Sequence, residues 1–319
     1  KVRIAYLFFS LLNINVKGEY KQYVLSPYQS FILLNLNLFY RPSGRRRFRT
    51  MFLFVARKNA KTTFAVALNL YFLIMDNVTD PQSLLIAAAR EQANVALDYA
   101  KSIIQNSPAL HSRSRIMQYQ IRFNNGKSRG FMKTVASADP RKLDGYNISS
   151  AILDEIHAYV SDDLYNVVKS GIVSRKDPII FLISTAGFII DSFCNDFVSY
   201  AKNVLLGDVE DDSLFTLLYM LDEEDDFHNP DVWIKANPAL GEIISLEDLL
   251  IEYNQAVSFP TQLPNFLTKH LNIFVEGVDQ WIPEDVLRAA CIPTPPLEDL
   301  KGADLYLGMD LSSTRDLTA

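Results

Sequence analysis

Short apolar segments alternate with helical segments through the first two thirds of the sequence, and this alternation limits the possible folds more than any other feature. A strand, a helix and a second strand in this order form a βαβ unit, which makes the two strands parallel. Because the strand segments are apolar throughout, we expect a mostly parallel sheet covered by helices on both faces. The predicted strands are residues 51–56, 83–88, 148–153 and 178–184, and the predicted helices are residues 62–75, 91–104 and 162–170.

Two regions depart from this alternation. Residues 116–123 alternate in polarity and lead into Asn124-Asn125-Gly126, a sequence typical of a tight turn, so a β-hairpin is predicted there, with residues 130–136 as its second strand. From about residue 191 the chain becomes acidic and prolines separate its helices. We therefore predict an α/β domain at residues 1–190, a helical subdomain at 191–296, and the first strand of a further domain at 297–319. That strand implies that the natural protein continues beyond Ala319.

Composition excludes several classes of protein. The 319 residues are 49% hydrophobic and 21% charged, as in ordinary globular proteins and unlike disordered chains or coiled coils. Cys194 and Cys291 are too few and too far apart for a disulfide framework or a zinc site. No apolar run reaches the length of a membrane span. Residues 1–12 lack a signal-peptide cleavage site and are predicted to form an amphipathic helix.

Charge is distributed unevenly although the net charge is −6. Residues 41–49 contain five arginines, residues 99–138 contain seven basic residues and no acid, and residues 208–226 contain nine acids and no lysine or arginine. One interpretation is that these are only solvated surfaces. The other is that the basic half binds a polyanion such as DNA. The candidate DNA contacts are Arg45, Arg46, Arg47, Lys127 and Arg129.

The segment from Phe52 to Thr63 has the layout of a phosphate-binding loop, in which a strand leads through a loop into a helix. Such loops use backbone N–H groups, a lysine for the β- and γ-phosphates, and a hydroxyl for Mg²⁺. Lys61 and Thr62 match the last two roles. Both glycines of the usual pattern are replaced, by Val55 and Ala60, so an ordinary solvated loop is the alternative.

A second segment, residues 149–157, is an apolar strand that ends in Asp154 and Glu155. In nucleotide hydrolases the aspartate of such a pair supports Mg²⁺ and the glutamate polarises the attacking water. Taken alone, two acids after a strand also suit the start of a helix. Because this strand and the loop at Lys61 occur in the order that a nucleotide hydrolase needs, together they favour an ATP site.

Two weaker signals agree with that interpretation. Residues 179–187 form an apolar strand that ends in Ser184 and Thr185, where a strand next to the γ-phosphate can couple hydrolysis to movement, although this could be an ordinary strand end. Gln29 precedes an apolar helix, where its amide can pair with an adenine edge or simply cap the helix.

At this point the sequence resembles the large terminase subunit, the DNA-packaging motor of tailed double-stranded-DNA phages, over nearly its whole length. The similar motifs are Leu-Ser-Pro-Tyr-Gln (25–29), Arg-Lys-Asn-Ala-Lys-Thr (57–62), Asp-Glu-Ile-His-Ala (154–158), Ser-Thr-Ala-Gly (184–187), Trp-Ile-Lys-Ala-Asn-Pro (233–238) and Gly-Met-Asp-Leu-Ser (308–312). The resemblance implies an ASCE-type P-loop ATPase with a mostly parallel central sheet and a small helical lid, followed by a truncated nuclease domain of RNase H-like fold.

The resemblance also assigns roles to residues. It implies ATP with Mg²⁺ as cofactor, metal support by Thr62 and Asp154, catalysis by Glu155 and Arg57, coupling by Ser184 and Thr185, and an adenine contact by Gln29. Asp310 would be the first ligand of two divalent metals, Mg²⁺ or Mn²⁺, in the nuclease domain. No arginine occupies the usual trans-acting position, where the sequence reads Leu143-Asp144-Gly145, and Arg141 is the nearest candidate. The residues that would bind ATP are Gln29, Arg57, Lys58, Asn59, Ala60, Lys61, Thr62 and Thr63.

The implied partners are double-stranded DNA, a portal protein, a small terminase subunit and a procapsid, with the chain itself in a homo-oligomeric ring and no membrane involved. The implied location is the cytoplasm of the bacterial host, with transient docking on the procapsid. Two alternatives remain open at this point. One is a translocase similar to superfamily 2 helicases, which also have Asp-Glu-x-His and a glutamine motif. The other is a nucleotide-binding scaffold that does not hydrolyse ATP.

Overall fold

An eight-stranded, mostly parallel sheet forms the centre of the protein. The computed structural model describes residues 1–76, 78–124, 129–136, 143, 145–188, 192–275 and 301–302. The strands of the large sheet are β3 (Thr50–Phe54), β4 (Gln82–Ala87), β5 (Ser114–Ile116), β6 (Gln120–Asn124), β7 (Arg129–Ala136), β8 (Ile148–Asp154), β9 (Ile179–Ser184) and β10 (Leu214–Leu218). Their spatial order is β10-β3-β9-β8-β4-β7-β6-β5, and a separate hairpin is formed by β1 (Asn13–Val16) and β2 (Glu19–Gln22).

Helices cover both faces of the sheet, as the alternation predicts. They are α1 (Val2–Ser10), α2 (Pro27–Leu38), α3 (Lys61–Met75), α4 (Arg90–Asn106), α5 (Pro108–His111), α6 (Asp163–Gly171), α7 (Phe193–Leu206), α8 (Leu246–Ser258) and α9 (Leu263–His270), with 3₁₀ turns at Ile156–Ala158, Pro230–Lys235 and Pro260–Gln262. One apolar core lies under α1 to α4, and another lies under α6 and α7. Every residue of β3 is buried because helices cover it on both sides. The predicted α/β class is confirmed.

The predicted hairpin is present, with one difference. Strands β6 and β7 pair antiparallel, and β7 also pairs parallel with β4, so the hairpin extends the main sheet. The predicted strand at 116–123 is divided into β5 and β6, which pair antiparallel with each other. The predicted turn at residues 124–126 lies partly outside the described residues.

The region after residue 191 contributes to the sheet, which the sequence analysis did not anticipate. Helix α7 packs on the second core, and β10 pairs parallel with β3, residue Leu214 against Thr50. The apolar run of β10 is short and lies between acidic stretches, which conceals its strand pattern. Beyond β10 a third apolar cluster, the Trp233 cluster, includes Ala56, Trp233, Leu249 and Phe266. The predicted domain limits at 190 and 296 stay predictions.

The chain divides into two compact units, residues 1–278 and 279–319. The site described below belongs to the first unit. Asp310, the predicted nuclease ligand, lies in the second unit and outside the described residues. Among the helices that the structure describes, none has the length and apolar character required to cross a bilayer.

Candidate nucleotide site

Three neighbouring strands bring the predicted site residues to one edge of the sheet. Strand β9 lies between β3 and β8, and all three are parallel. The carboxyl ends of parallel strands meet at the same edge, where α/β proteins commonly bind ligands. Strand β3 leads there into the phosphate loop, residues 55–60, β8 ends at Asp154, and β9 ends at Ser184.

The phosphate loop adopts a conformation that usually requires glycine. Lys58 has φ +68° and Ala60 has φ +59°, both in the left-handed region. Helix α3 begins directly after Ala60, at Lys61, so its unpaired N–H groups face the end of the loop. The sequence analysis treated the absence of glycine as a departure from the pattern. The structure shows that the loop has the left-handed turn despite a Cβ atom at these two positions.

Replacing Ala60 with glycine should therefore stabilise the protein. An alanine in the left-handed region costs about 1 kcal/mol relative to glycine. We expect Ala60→Gly to raise the free energy of unfolding by roughly that amount, measured by urea denaturation. Ala65→Gly inside α3 is the matched control and should lower it by a similar amount. A loss of stability in Ala60→Gly would show that the loop does not need the left-handed residue.

The loop and β8 are joined by two polar contacts. Lys61 Nζ lies 3.0 Å from Glu155 Oε1, and Thr62 Oγ1 donates a hydrogen bond to Asp154 Oδ2 at 3.0 Å. The side chain of Lys61 is only 8% exposed, so this ion pair is largely shielded from water. The structure thus brings together four residues that the sequence places almost a hundred positions apart.

The pKa values of the two adjacent carboxyl groups, Asp154 and Glu155, are shifted in opposite directions. Burial raises the pKa of Asp154, and the neighbouring charge of Glu155 adds to that effect. Burial alone would also raise the pKa of Glu155, but His157 and Lys61 lower it below its ordinary value. Glu155 therefore remains a carboxylate near neutral pH, the form that a base for water requires.

The donor set fits one Mg²⁺ ion that arrives with a nucleotide. Asp154 Oδ1 is buried and has no hydrogen-bond partner, which leaves it available to a cation or to the water shell of a cation. The Thr62 hydroxyl lies beside it. Within the described ranges, no three His, Cys, Asp or Glu side chains form a metal cluster. A Mg²⁺ bound mainly by phosphate oxygens and water does not require one.

His157 connects Glu155 to the end of β9, a contact that the sequence analysis missed. Its Nδ1 lies 3.1 Å from Glu155 Oε2 and shares a 3.1 Å hydrogen bond with Ser184 Oγ. Its backbone N–H also donates to Ser184 Oγ at 3.1 Å, and Thr185 Oγ1 lies 3.5 Å from Nδ1. A Cβ at Gly187 would lie 3.1 Å from the His157 Cβ, so a larger residue there would require His157 to shift slightly. The signal available in the sequence was the spacing Asp-Glu-x-His.

Gln29 is used differently from the predicted adenine contact. It is 1% exposed, its Oε1 accepts a hydrogen bond from the Ser26 backbone N–H at 3.2 Å, and its Nε2 donates to the Tyr28 hydroxyl at 3.3 Å. This is a capping box at the start of α2. Tyr28 in turn donates to the backbone carbonyl of Asn59. Gln29 therefore supports the phosphate loop through its hydrogen bond to Tyr28. Its adenine contact stays a prediction.

The remaining loop residues divide into two groups. Lys58 is exposed, and Arg57 and Thr63 are half-buried, so all three are accessible to a nucleotide. Asn59 is fully buried and its side chain bonds to Asn237 in the helical region, so its predicted role in ATP binding stays a prediction. Lys269, at the end of α9, adds another positive charge near the loop, and burial together with the charge of Arg57 lowers its pKa.

A groove of arginines lies on the antiparallel part of the sheet. It has a volume of about 610 Å³ and is lined by Arg113, Arg115, Arg122 and Arg129, which we call the arginine groove. Arg115 and Arg122 are directly opposite each other in the β5–β6 register. Like charges in this position are unfavourable unless an anion lies between them. Within the described part of the chain, none of the four forms an ion pair with a carboxylate.

In the second basic cluster, residues 41–49, two arginines form ion pairs with acids of the same chain. Arg46 is 3% exposed, pairs with Asp76 at 2.6 Å and lies over the ring of Phe72, an arrangement that does not favour its predicted contact with DNA. Arg47 pairs with Asp212, whereas Arg41 and Arg45 are exposed and form no ion pair within the described residues. Consecutive arginines looked alike in the sequence, but their acids are distant along the chain. Lys127 lies outside the described residues, whereas Arg129 lies in the arginine groove.

Two family models match this chain. The family model "Terminase large subunit, ATPase domain" matches residues 27–203, and "Terminase large subunit, endonuclease domain" matches residues 208–319. The large terminase subunit of Enterobacteria phage HK97 is 25% identical over 268 residues, which are 83% of this chain and 51% of that protein. Protein YmfN of Escherichia coli K12 is 31% identical over 179 residues, 56% of this chain and 39% of that protein.

Solved structures show the same fold. The crystal structure of the HK97 large terminase has a TM-score of 0.73 and 21% identity, covering 86% of this chain and 55% of that chain. The large terminase of a thermophilic bacteriophage, solved in complex with ADP, has a TM-score of 0.52 and 10% identity, covering 79% and 54%. The present chain spans about half the length of the phage relatives that it matches. On the family match over more than half of its residues, the chain belongs to the terminase large subunit family.

Proposed function

We propose that this chain is the ATP-hydrolysing part of a motor that moves viral double-stranded DNA into a procapsid. The observation that carries the proposal is the paired contact of Lys61 with Glu155 and of Thr62 with Asp154 at one sheet edge. The direct test is Mg²⁺-dependent release of phosphate from ATP by the purified chain. Genome cutting is proposed for the intact protein.

The side chains have distinct tasks in this proposal. Lys61 exchanges its contact with Glu155 for the β- and γ-phosphates when ATP enters, which leaves the Glu155 carboxylate free to accept a proton from water. The N–H groups at the start of α3 neutralise phosphate charge, and Arg57 contributes its guanidinium to the γ-phosphate. Thr62 and Asp154 hold Mg²⁺, which screens phosphate charge when it is bound. His157 contacts both Glu155 and Ser184, so a movement of Glu155 is transmitted to Ser184 and Thr185, the proposed coupling residues.

The arginine groove is proposed to hold the DNA backbone. Arg115, Arg122 and Arg129 occupy one face of β5, β6 and β7, and Arg113 directly precedes β5, while Ile121, Phe123 and Met132 pack the opposite face into the core. Phosphates between Arg115 and Arg122 would relieve the repulsion of these opposed charges. Contacts of this kind are independent of base sequence, as a packaging motor requires.

We expect the double change Arg115→Gln with Arg122→Gln to weaken duplex binding equally for all sequences. Each lost phosphate contact lowers the log–log salt slope by about 0.9, so the slope should fall by about 2. Binding is measured by fluorescence anisotropy over a range of salt concentrations. The matched control, Arg3→Gln with Lys202→Gln, removes the same charge from exposed positions elsewhere and should leave the slope unchanged. An unaltered slope in the groove variant would show that the groove is only a solvated surface.

Assembly is proposed to complete the site. Arg141, the candidate trans-acting arginine, lies outside the described residues, and the proposed ring places one subunit's arginine at its neighbour's ATP. Turnover per chain should therefore be low in dilute solution and should rise with protein concentration or with added portal or procapsid. Steady-state phosphate release over a concentration series measures this. A concentration-independent rate of about 10 s⁻¹ from a proven monomer, typical of a complete enzyme, would contradict a ring.

The remaining assignments follow from family membership. The portal protein, the small terminase subunit and the procapsid are proposed as partners, and the host cytoplasm is the proposed location.

A further inference from the structure

The phosphate loop is fastened to the helical residues that follow β10. The backbone N–H of Ala56 donates to the carbonyl of Ala236 at 3.4 Å, and the N–H of Arg57 donates to the carbonyl of Lys269 at 2.8 Å. Ala56 is itself a member of the Trp233 cluster. The first half of the loop is therefore packed and hydrogen-bonded against two separate segments of the helical region.

Two buried asparagines make a further connection. Asn59 Nδ2 donates to Asn237 Oδ1 at 3.0 Å and to the Ala56 carbonyl at 3.0 Å, while Asn59 Oδ1 accepts from the Ala239 N–H at 3.1 Å. Asn237 Nδ2 donates to the carbonyls of Trp233 at 3.1 Å and His270 at 2.8 Å. Every amide hydrogen of the two side chains therefore has an acceptor. Buried amides satisfied in this way define one geometry.

This pair lies where the loop most needs support. Asn59 stands between Lys58 and Ala60, the two residues in the left-handed region. Such residues relax toward other conformations unless the surrounding structure holds them. Asn59 fixes the loop from one side through its side chain, and Tyr28 fixes it from the other through the Asn59 carbonyl. The Trp-Ile-Lys-Ala-Asn-Pro motif at 233–238 supplies the partner residue but contributes no side chain to the phosphate site described above.

We infer that Asn237 is a positioning residue for ATP binding. It holds the phosphate loop in the conformation that receives the phosphates, and it transmits movement of the loop to the packing around Trp233. Asn237 does not contact the nucleotide in this inference. The inference rests on the proposed function, because it presumes that the loop binds phosphate.

The experiment uses the intrinsic fluorescence of Trp233. The chain has two tryptophans, so Trp281→Phe leaves Trp233 as the only one. In this background we measure the Kd of a non-hydrolysable ATP analogue in the presence of Mg²⁺. We also measure kcat with ATP. Both are determined for Asn59→Ala, Asn237→Ala and the double variant. Asn254→Ala, an exposed asparagine on α8, is the matched control. Asn237→Ser, which keeps an acceptor oxygen in a smaller side chain, guards against misfolding of the alanine variants.

The expected result is that saturating analogue changes Trp233 emission in the parent chain, and that each single alanine variant raises Kd by roughly tenfold. The kcat at saturating ATP should change less than Kd. The Kd of the double variant should be no higher than that of the single alanine variant that binds less tightly. The Kd of Asn237→Ser should lie between those of the parent chain and Asn237→Ala. Additive losses in the double variant, or unchanged Trp233 emission in the parent, would overturn the inference. If the parent chain binds no nucleotide at all, the proposed function is contradicted, and so is this inference, which depends on it.

Discussion

Glu155→Gln should reduce ATP turnover by at least about 100-fold, since a positioned general base contributes on the order of 10² to 10⁴ in rate. Glutamine keeps the shape of the side chain and an oxygen that can accept from Lys61, but it cannot take a proton from water. Nucleotide affinity should therefore change little. Single-turnover hydrolysis and binding of a non-hydrolysable analogue measure the two effects separately.

The control for this change is Glu210→Gln, which removes the same charge from an exposed position and should leave turnover unchanged. Hydrolysis by Glu155→Gln within a few-fold of the wild-type rate would assign the base to another residue. His157 would then be the next candidate, because its Nδ1 lies 3.1 Å from the same carboxylate.

Lys61→Ala should weaken nucleotide binding strongly and reduce hydrolysis with it. Lys61 Nζ lies 3.0 Å from Glu155 Oε1 and is largely buried, and its removal leaves that carboxylate without this ion pair and the phosphates without their main charged donor. Charge-assisted hydrogen bonds contribute about 1.5–3 kcal/mol each, so we expect affinity for Mg²⁺ with ATP to fall by roughly 10- to 150-fold. Isothermal titration with a non-hydrolysable analogue measures this loss.

Lys21→Ala is a suitable control, since Lys21 is an exposed lysine on β2 that pairs with Glu19. Its affinity should match that of the wild type. Tight nucleotide binding by Lys61→Ala would place the phosphates elsewhere than at the start of α3.

The central features of this site could be predicted from the sequence because they depend on local patterns. Each of the strands β3, β8 and β9 is a short apolar run followed at once by its functional residues. Parallel strands put their carboxyl ends at one edge whatever their order in the sheet. Lys61, Asp154 and Ser184 were therefore expected at the same edge, and the neighbouring order β3-β9-β8 places them close together.

Other features depend on contacts between distant segments. Arg46 is neutralised by Asp76 and covered by Phe72, and nothing near residue 46 in the sequence indicates this burial. Asn59 looked like a phosphate ligand because it lies in the loop, but its partner Asn237 comes from the helical region. Strand β10 was missed because its apolar residues lie within the most acidic stretch of the chain.

ATP turnover by the purified chain, measured with Mg²⁺ and with or without duplex DNA, tests the central claim most directly. A packaging motor should hydrolyse ATP, should do so faster when duplex DNA is added, and should lose this stimulation as salt displaces DNA from the arginine groove. A scaffold would bind nucleotide without releasing phosphate, and a helicase-like translocase would respond better to single-stranded than to duplex DNA. Either result, obtained at protein concentrations that permit assembly, would contradict the account of a duplex-driven ATPase given for Lys61, Asp154 and Glu155.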